Sequence, residues 1–259
     1  MGTDLRARNA PELDEVDFWF DAATPELIEA RSLQHRTDTK FVVHTRTLPK
    51  ILGALRDDCA AIHNEGQVLQ DYENLYFDTE EFRCLQDHQR GLRPRFKVRY
   101  RHHRSRQLSF LEVKRKEPDE STAKTRLAVD YLDETLNEAH QSFVEAHSTL
   151  STEALHPTMR IRFKRISLLG LSSNERVTVD QGLEFQAAET TRGWSSLAIL
   201  EVKQEQFDPQ APVLKAVRRS PARTLSISKY CLGVHLCLTD ANTDWMGKKI
   251  HFMRTLTHG

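Results

Sequence analysis

The chain has 259 residues, with 37 Lys and Arg balanced by 37 Asp and Glu, 39% hydrophobic residues and 29% charged ones. These are the proportions of a globular protein, and a net charge of zero excludes a surface that is basic throughout, so any polyanion site must be local. No window approaches the roughly 18 consecutive apolar residues of a membrane helix, and the N-terminus lacks the basic-then-apolar layout of a signal peptide.

In chain order, an acidic arm leads into a helix predicted from Thr24 to about His35, where Thr24 caps, Pro25 opens the first turn and Glu26 meets the positive helix end. Thr47 before Leu48-Pro49 starts a second helix whose apolar face carries Ile51, Leu52, Leu55 and Cys59. A third is predicted from Asp133 to His147 on a stripe of Leu136, Ala139, Phe143 and Ala146. Short helices follow at Ala211–Arg219 and Ile227–Leu238. Between them, alternation of period two predicts strands at Thr37–His44, Glu73–Asp78, Arg95–His102, Gln107–Lys116, Thr125–Val129, Arg160–Ser167, Arg176–Asp180 and Ala198–Gln204. Without regular helical crossovers, these strands predict an α+β, mainly antiparallel fold, an eight-stranded closed barrel with helices packed outside. The expected organisation is an arm and helix over 1–34, the barrel domain over 35–240 and a C-terminal tail over 241–259, one structural domain in all. Cys59, Cys84, Cys231 and Cys237 form no CxxC pair or Cys/His framework and read as reduced core residues of a cytoplasmic protein.

The charges are unevenly distributed. Thirteen basic residues lie between Arg90 and Arg126 against four acidic ones, a local excess of +9. Side chains of a strand alternate between faces, so Arg95, Lys97, Arg99 and Arg101 share one face while Phe96, Val98 and Tyr100 share the other. By the same parity Glu112, Lys114 and Lys116 lie together, as do Lys124 with Arg126, Arg160 with Arg162 and Lys164, Arg176 with Thr178 and Asp180, Glu201 with Lys203, and Arg36 with Asp38 and Lys40. Four cations in a row repel one another by roughly 0.2–1 kcal/mol per direct cross-strand pair, so an anion is needed to offset them. If the apolar faces pack outward, the charged faces line a wet channel that holds a polyanion. Glu112 and Glu201, set among the cations, add candidate ligands for a hard divalent ion, Mg²⁺ or Mn²⁺. Phosphates, cations and a metal together suit phosphoryl transfer, which asks mainly for positioning and charge neutralisation.

Arg36-x-Asp38-x-Lys40-Phe41, Tyr76-Phe77-Asp78-Thr79, Lys97-Val98-Arg99-Tyr100-Arg101, Leu111-Glu112-Val113-Lys114-Arg115-Lys116, Phe163-Lys164-Arg165, Arg176-Val177-Thr178-Val179-Asp180, Leu200-Glu201-Val202-Lys203 and Ser228-Lys229-Tyr230 follow one another in order. Over about residues 35–238 this series resembles the VTC polyphosphate polymerase domain of the triphosphate tunnel metalloenzyme (CYTH-like) superfamily. The resemblance implies an eight-stranded antiparallel tunnel that moves the terminal phosphate of ATP onto inorganic polyphosphate with a divalent metal, commonly Mn²⁺. It implies phosphate contacts from Lys40, Lys97, Arg99, Lys114, Lys124, Arg126, Arg165, Arg176 and Lys229, Glu201 as metal ligand, and Tyr76 near the nucleotide. With the charged faces it sets the expected catalytic residues as Lys97, Arg99, Lys114, Arg165 and Arg176. Substrate binding is expected from Lys40, Tyr76, Arg95, Lys116, Lys124, Arg126, Lys203 and Lys229, and metal binding from Glu201 and Glu112. Two departures stand out: Ser226 replaces a lysine of eukaryotic members, and Arg165 falls on the apolar parity of its strand, which predicts a bulge or strand end. With no sensor domain before it and no membrane segment after it, the chain resembles a stand-alone prokaryotic form, for which the family suggests a separate membrane-protein partner.

The ten glycines form neither GxxxxGK[ST] nor GxGxxG, so ATP would be held by side chains. His102 and His103, of opposite parity, are expected at the rim, and Trp19, Trp194 and Trp245 as packing or rim residues. Two alternatives are a tunnel triphosphatase, for which water replaces the phosphate acceptor, and a non-catalytic polyanion-binding module. The first normally carries Glu-x-Glu-x-Lys where this chain has Arg36, Asp38 and Lys40. Nucleic acid is disfavoured because Phe96, Tyr100 and Phe110 are expected on the face opposite the cations.

Overall fold

The computed structural model describes residues 13–32, 36–119, 121–238 and 241–258. The arm over 1–12, the expected helix end at His35 and Glu120 lie outside the described residues. One antiparallel sheet of eleven strands dominates: β1 (Thr37–His44), β2 (Cys59–Ala61), β3 (Gln70–Asp78), β4 (Arg95–His103), β5 (Leu108–Lys116), β6 (Thr122–Val129), β7 (His156–Gly170), β8 (Glu175–Ala187), β9 (Thr190–Trp194), β10 (Leu197–Gln204) and β11 (Arg223–Thr224). All eight expected strands are present, several of them longer than their alternation suggested. The order is β11-β1-β10-β8-β7-β3-β4-β5-β6, with β2 on β7 and β9 on β8. Among the described residues no hydrogen-bonded ladder joins β6 to β1 or β11, so the sheet is not closed by hydrogen bonds as the barrel expectation required.

Seven helices accompany it among the described residues: α1 (Pro25–Ala30), α2 (Leu48–Gly53), α3 (Arg83–Gln89), α4 (Glu138–His147), α5 (Pro212–Arg218), α6 (Lys229–Cys237) and α7 (Gly247–His258). Thr24 caps α1 as expected, accepting from the Leu27 amide at 3.3 Å. Cys59 leaves the expected stripe of α2 and belongs to β2. α4 begins late, capped by Asn137, and buries His140 and Val144 while Ala139 and Ala146 stay exposed. The stripe is shifted because His140 hydrogen-bonds the Thr135 carbonyl and the Tyr100 hydroxyl. α3 was not foreseen. The stretch 241–259, expected as a tail, contains α7.

Alternation sorts the sheet into two faces. On the convex face α2 and α5 pack over Phe41, Val43, Ile166, Leu168, Val177, Val179, Leu200 and Val202. α4 covers Leu75, Phe77, Val98, Tyr100, Leu111 and Val113 on the same side. α6 departs from the expectation that helices pack outside: Tyr230, Cys231 and Val234 meet Tyr76, Met159, Ile161 and Phe185 on the concave face. That approach depends on Gly233, where an added Cβ would stand 2.8 Å from Met159 Sδ and from a Phe185 ring carbon. α6 and α7 thus fill one part of the hollow with apolar side chains and leave the rest to the charges. All four cysteines are buried free thiols. Trp19 and Trp194 are buried in cores, and Trp245 packs beside one. No described helix is long and apolar enough to cross a membrane.

Candidate functional site: the cationic concave face

β4 shows the alternation most clearly, each odd residue from Arg95 to His103 partly open to the hollow and each even one buried. Register then fixes its neighbours: Arg95 faces Lys116, Lys97 faces Lys114, Arg99 faces Glu112, and Lys114 faces Lys124 of β6. On the opposite wall Lys40 faces Glu201, Glu201 faces Thr178, and Lys203 faces Arg176. Arg165 faces Asp180. Every expected site residue from a strand therefore lies on the concave side, and Lys229 joins them from the first turn of α6.

The carboxylates on this face are engaged by cations. Glu112, 2% exposed, accepts from Arg99 at 2.7 and 2.9 Å and from Lys124 at 2.9 Å, with Arg101 at 3.7 Å. Burial alone would raise its pKa, but Arg101, Arg99 and Lys124 hold it well below the usual carboxylate range. Asp180, also 2% exposed, takes a two-pronged contact from Arg165 at 2.5 and 2.8 Å and a further one from Lys229. Against its burial, Arg165 and Lys229 bring the Asp180 carboxyl down to about 2. Glu201 pairs with Lys40 at 2.9 Å and Lys203 at 3.4 Å. Arg99 also donates to the Tyr76 hydroxyl at 2.6 Å; burial opposes ionisation of this phenol, while Arg99, Arg101 and Lys97 pull its pKa below the normal tyrosine value.

Three cations of this face lack such partners among the described residues. Among the described residues no carboxylate lies within ion-pair distance of Lys97, Lys114 or Arg176. Lys97 instead donates to Ser228 Oγ at 2.7 Å and stands 3.5 Å from His88 Nδ1. Desolvation by the surrounding walls, then Lys97 and Lys40, push the Lys114 ammonium down to about 7, and desolvation takes Lys124 to about 8 despite Glu112, although both side chains stay exposed to the water of the hollow. That Lys114 of β5 feels Lys40 and Glu201 shows that the unjoined walls curl toward each other. An anion placed here would restore the protonated form of Lys114. Tripolyphosphate affinity should therefore weaken by up to about tenfold per pH unit as pH rises above 7 from Lys114 alone, because binding must then include proton uptake. Calorimetry between pH 7.5 and 9.5 checks this, with Lys114→Gln flattening the slope. Equal slopes in the two proteins would remove Lys114 from the anion site.

Three expectations need correction. Arg160, Arg162 and Lys164 lie on the convex face, where Glu73 and Glu134 pair with Arg160, and Glu73 and Glu184 with Arg162. Arg165, on the other parity, points inward, and the ladder between β7 and β8 shifts register between Arg162 and Lys164. His102 is not at the rim but wholly buried, bonded to Ser109 Oγ at 2.7 Å and Glu134 at 3.3 Å, because even positions of β4 face the convex core. Phe96 and Tyr100 do lie opposite the cations, whereas Phe110 shares their face, with the Arg126 guanidinium 5.0 Å above its ring.

The sequence reading passed over several residues of this face. Asp180 had the right parity but was read only as one of a row. Tyr72 and Asn74 follow from Tyr76 by steps of two. Asn74 accepts from Arg101 at 3.1 Å. His88 had no signal, since α3 was not predicted. Asp78 supplies the cap that α3 lacks at Phe82, accepting from the Cys84 and Leu85 amides at 2.8 and 3.1 Å, and it also accepts from the Tyr230 hydroxyl at 2.5 Å. One buried carboxylate thus ties the end of β3 to the starts of α3 and α6, and so locates His88 and Ser228 beside Lys97 and Lys229 beside Asp180.

Among solved structures, a protein from Bacillus halodurans provisionally assigned as an adenylate cyclase superposes with a TM-score of 0.50 at 12% identity, covering 75% of this chain and 94% of its own. A Hippeastrum protein provisionally assigned as an adenylyl cyclase, and described as having a dominant triphosphatase activity, gives a TM-score of 0.48 at 12% identity over 79% of this chain and 98% of its own. The first of these is a likeness of fold. No curated protein matches the chain in sequence. The model of the VTC domain matches residues 35–238, which span β1 to the end of α6 and carry all the strands of the cationic face, and the chain belongs to the VTC domain family.

Proposed function

We propose that this protein synthesises inorganic polyphosphate, transferring the γ-phosphoryl group of ATP to the end of a polymer held along the concave face. The observation that carries this reading is the set of cations facing the hollow, Lys97, Lys114 and Arg176, without carboxylate partners among the described residues, beside others whose acids can be exchanged for phosphate. In the reaction a terminal oxygen of the polymer bonds to the γ-phosphorus, the bond from that phosphorus to the β,γ-bridging oxygen breaks, and ADP leaves with the electron pair. Such transfer needs alignment and neutralisation of charge more than covalent help. Lys97, Arg99, Lys114, Arg165 and Arg176 are assigned as the catalytic set, holding the triphosphate of the donor and the phosphate that accepts from it. Lys40, Arg95, Lys116, Lys124, Arg126, Lys203 and Lys229 are assigned to the flanking phosphates, with the curled sheet serving as a tunnel around them.

A divalent ion fits one place in this arrangement. No group of three or more His, Cys, Asp or Glu suited to a metal is present among the described residues, so phosphate oxygens would supply most of its ligands. Glu201 fits as the protein ligand, since lysines that can turn to phosphate are its partners. Glu112 fits less well, being more deeply buried than Glu201 and held by two hydrogen bonds from the Arg99 guanidinium to one oxygen and by Lys124 on the other. When bound, Mn²⁺ or Mg²⁺ would lower the charge between donor and acceptor phosphates. The test incubates the purified protein with ATP and Mn²⁺ and resolves the product on a polyphosphate gel. Chain growth is expected. Release of phosphate alone would turn the assignment to a triphosphatase, and no reaction would leave a binding module.

A further inference from the structure

The two ends of the cationic face differ in chemistry. Around Lys97 and Lys114 the lining is cationic, with Lys116 and Arg95 beside them and His88 of α3 and Ser228, at the start of α6, behind Lys97. At the other end of β4 the concave side carries a set of rings: Tyr72 stacks on Phe163 at 5.5 Å and 9°, His103 lies 4.4 Å from Tyr72, and Phe110 lies 5.8 Å from His103. Arginines interleave with them, Arg101 and Arg165 at 5.9 and 5.2 Å from the Tyr72 ring and Arg126 at 5.0 Å from Phe110. Tyr72, His103 and Phe110 are only partly buried, so these rings are open to the hollow. Burial and Arg101 push His103 down to about 3, which keeps it a neutral ring, and its buried Nδ1 has no hydrogen-bond partner.

A polymer of phosphates has no use for such a surface, being the same along its length and offering only anionic oxygens. A nucleoside triphosphate differs at its two ends, with a flat π-system at one and phosphates at the other. We propose that Tyr72, His103 and Phe110 form the nucleobase subsite, orienting the donor with its base at the aromatic end and its terminal phosphate toward Lys97 and Lys114. The assignment rests on the reading that a nucleotide is the donor, and it allows base stacking beside the cations because Phe110 lies on their face. The base lies against the rings or against a guanidinium plane. Its triphosphate runs past Arg101 and Arg99, and the γ-phosphorus comes to the region shared by Lys114, Lys40 and Glu201. The polymer then occupies the helix-backed end.

Equilibrium binding of ATP and of tripolyphosphate, both without metal, separates base from phosphate contacts. Phe110→Leu and His103→Leu should each weaken ATP by about tenfold, the usual scale of one stacking contact, with tripolyphosphate affinity within about twofold of the wild type. Tripolyphosphate binding also shows that each variant is folded. Trp245→Leu is the control, because Trp245 and His88, 5.9 Å apart, make another aromatic pair near the cations. Equal changes for both ligands, no change for ATP, or an ATP loss confined to Trp245→Leu would each overturn the assignment. Binding does not depend on chain growth, so a failed synthesis assay would sink the polymerase reading alone. A protein that bound tripolyphosphate but not ATP would sink the base subsite.

Discussion

Glu201→Gln is expected to reduce chain growth by at least about a hundredfold while leaving tripolyphosphate affinity equal or higher. The side chain keeps its size, so the strand and its neighbours stay in register, and what disappears is one negative charge between Lys40 and Lys203. Removing an acid from a cationic surface favours a bare polyanion and disfavours a metal, so the two readouts should move in opposite directions. The experiment compares turnover across a Mn²⁺ titration with affinity for tripolyphosphate in the absence of metal. Wild-type turnover at limiting Mn²⁺ would show that Glu201 is not the metal ligand. A parallel loss of activity and of anion affinity would instead point to disruption of the β1–β10 pair.

Asp180→Asn should destabilise the free protein by about 3–5 kcal/mol, the scale for breaking a buried ion pair from one side. Asp180 is the counter-ion of both Arg165 and Lys229, and none of the three is well exposed. With an amide in its place two cations face each other with no charge between them. In a domain of this size the loss corresponds to a fall in Tm of roughly 10 °C. Polyphosphate should raise the Tm of the variant more than that of the wild type, since phosphate then supplies the missing charge. The same group makes wild-type stability depend on acid: its carboxyl is depressed in the fold, so its contribution is present above the unfolded carboxylate pKa and is lost as pH falls toward about 2. Thermal melts of both proteins with and without polyphosphate measure all of this. Unchanged stability on substitution would show that Arg165 and Lys229 do not rely on Asp180.

Parity along single strands was legible from the sequence, and it was enough to group Arg95, Lys97, Arg99 and Arg101, to set Glu112 with Lys114, and to set Glu201 with Lys203. It could be read because a strand has only two faces, and β4 carries charge on one and apolar residues on the other without exception up to Tyr100. The order of short motifs from Arg36 to Tyr230 was likewise legible, and it brought the family into view. Where a strand is covered on both sides, parity alone does not say which side is concave. Arg160 and Arg162 look like Arg95 and Lys97 in sequence, yet they point outward because α6 fills the concave side of β7 and the acids Glu73, Glu134 and Glu184 wait on the convex one. For Phe110 and His102 parity was sufficient, since it sets Phe110 with Glu112 and Lys114 and His102 with Phe96, Val98 and Tyr100, and the expectations for these two residues departed from it. Partners distant in sequence were beyond reach for a related reason: Asp78 meets Tyr230, Lys97 meets Ser228, and Lys114 senses Lys40 only because the sheet curls and α6 returns to it. The sequence by itself determined which side chains travel together; tertiary packing decided which side of the sheet they face and what stands across from them.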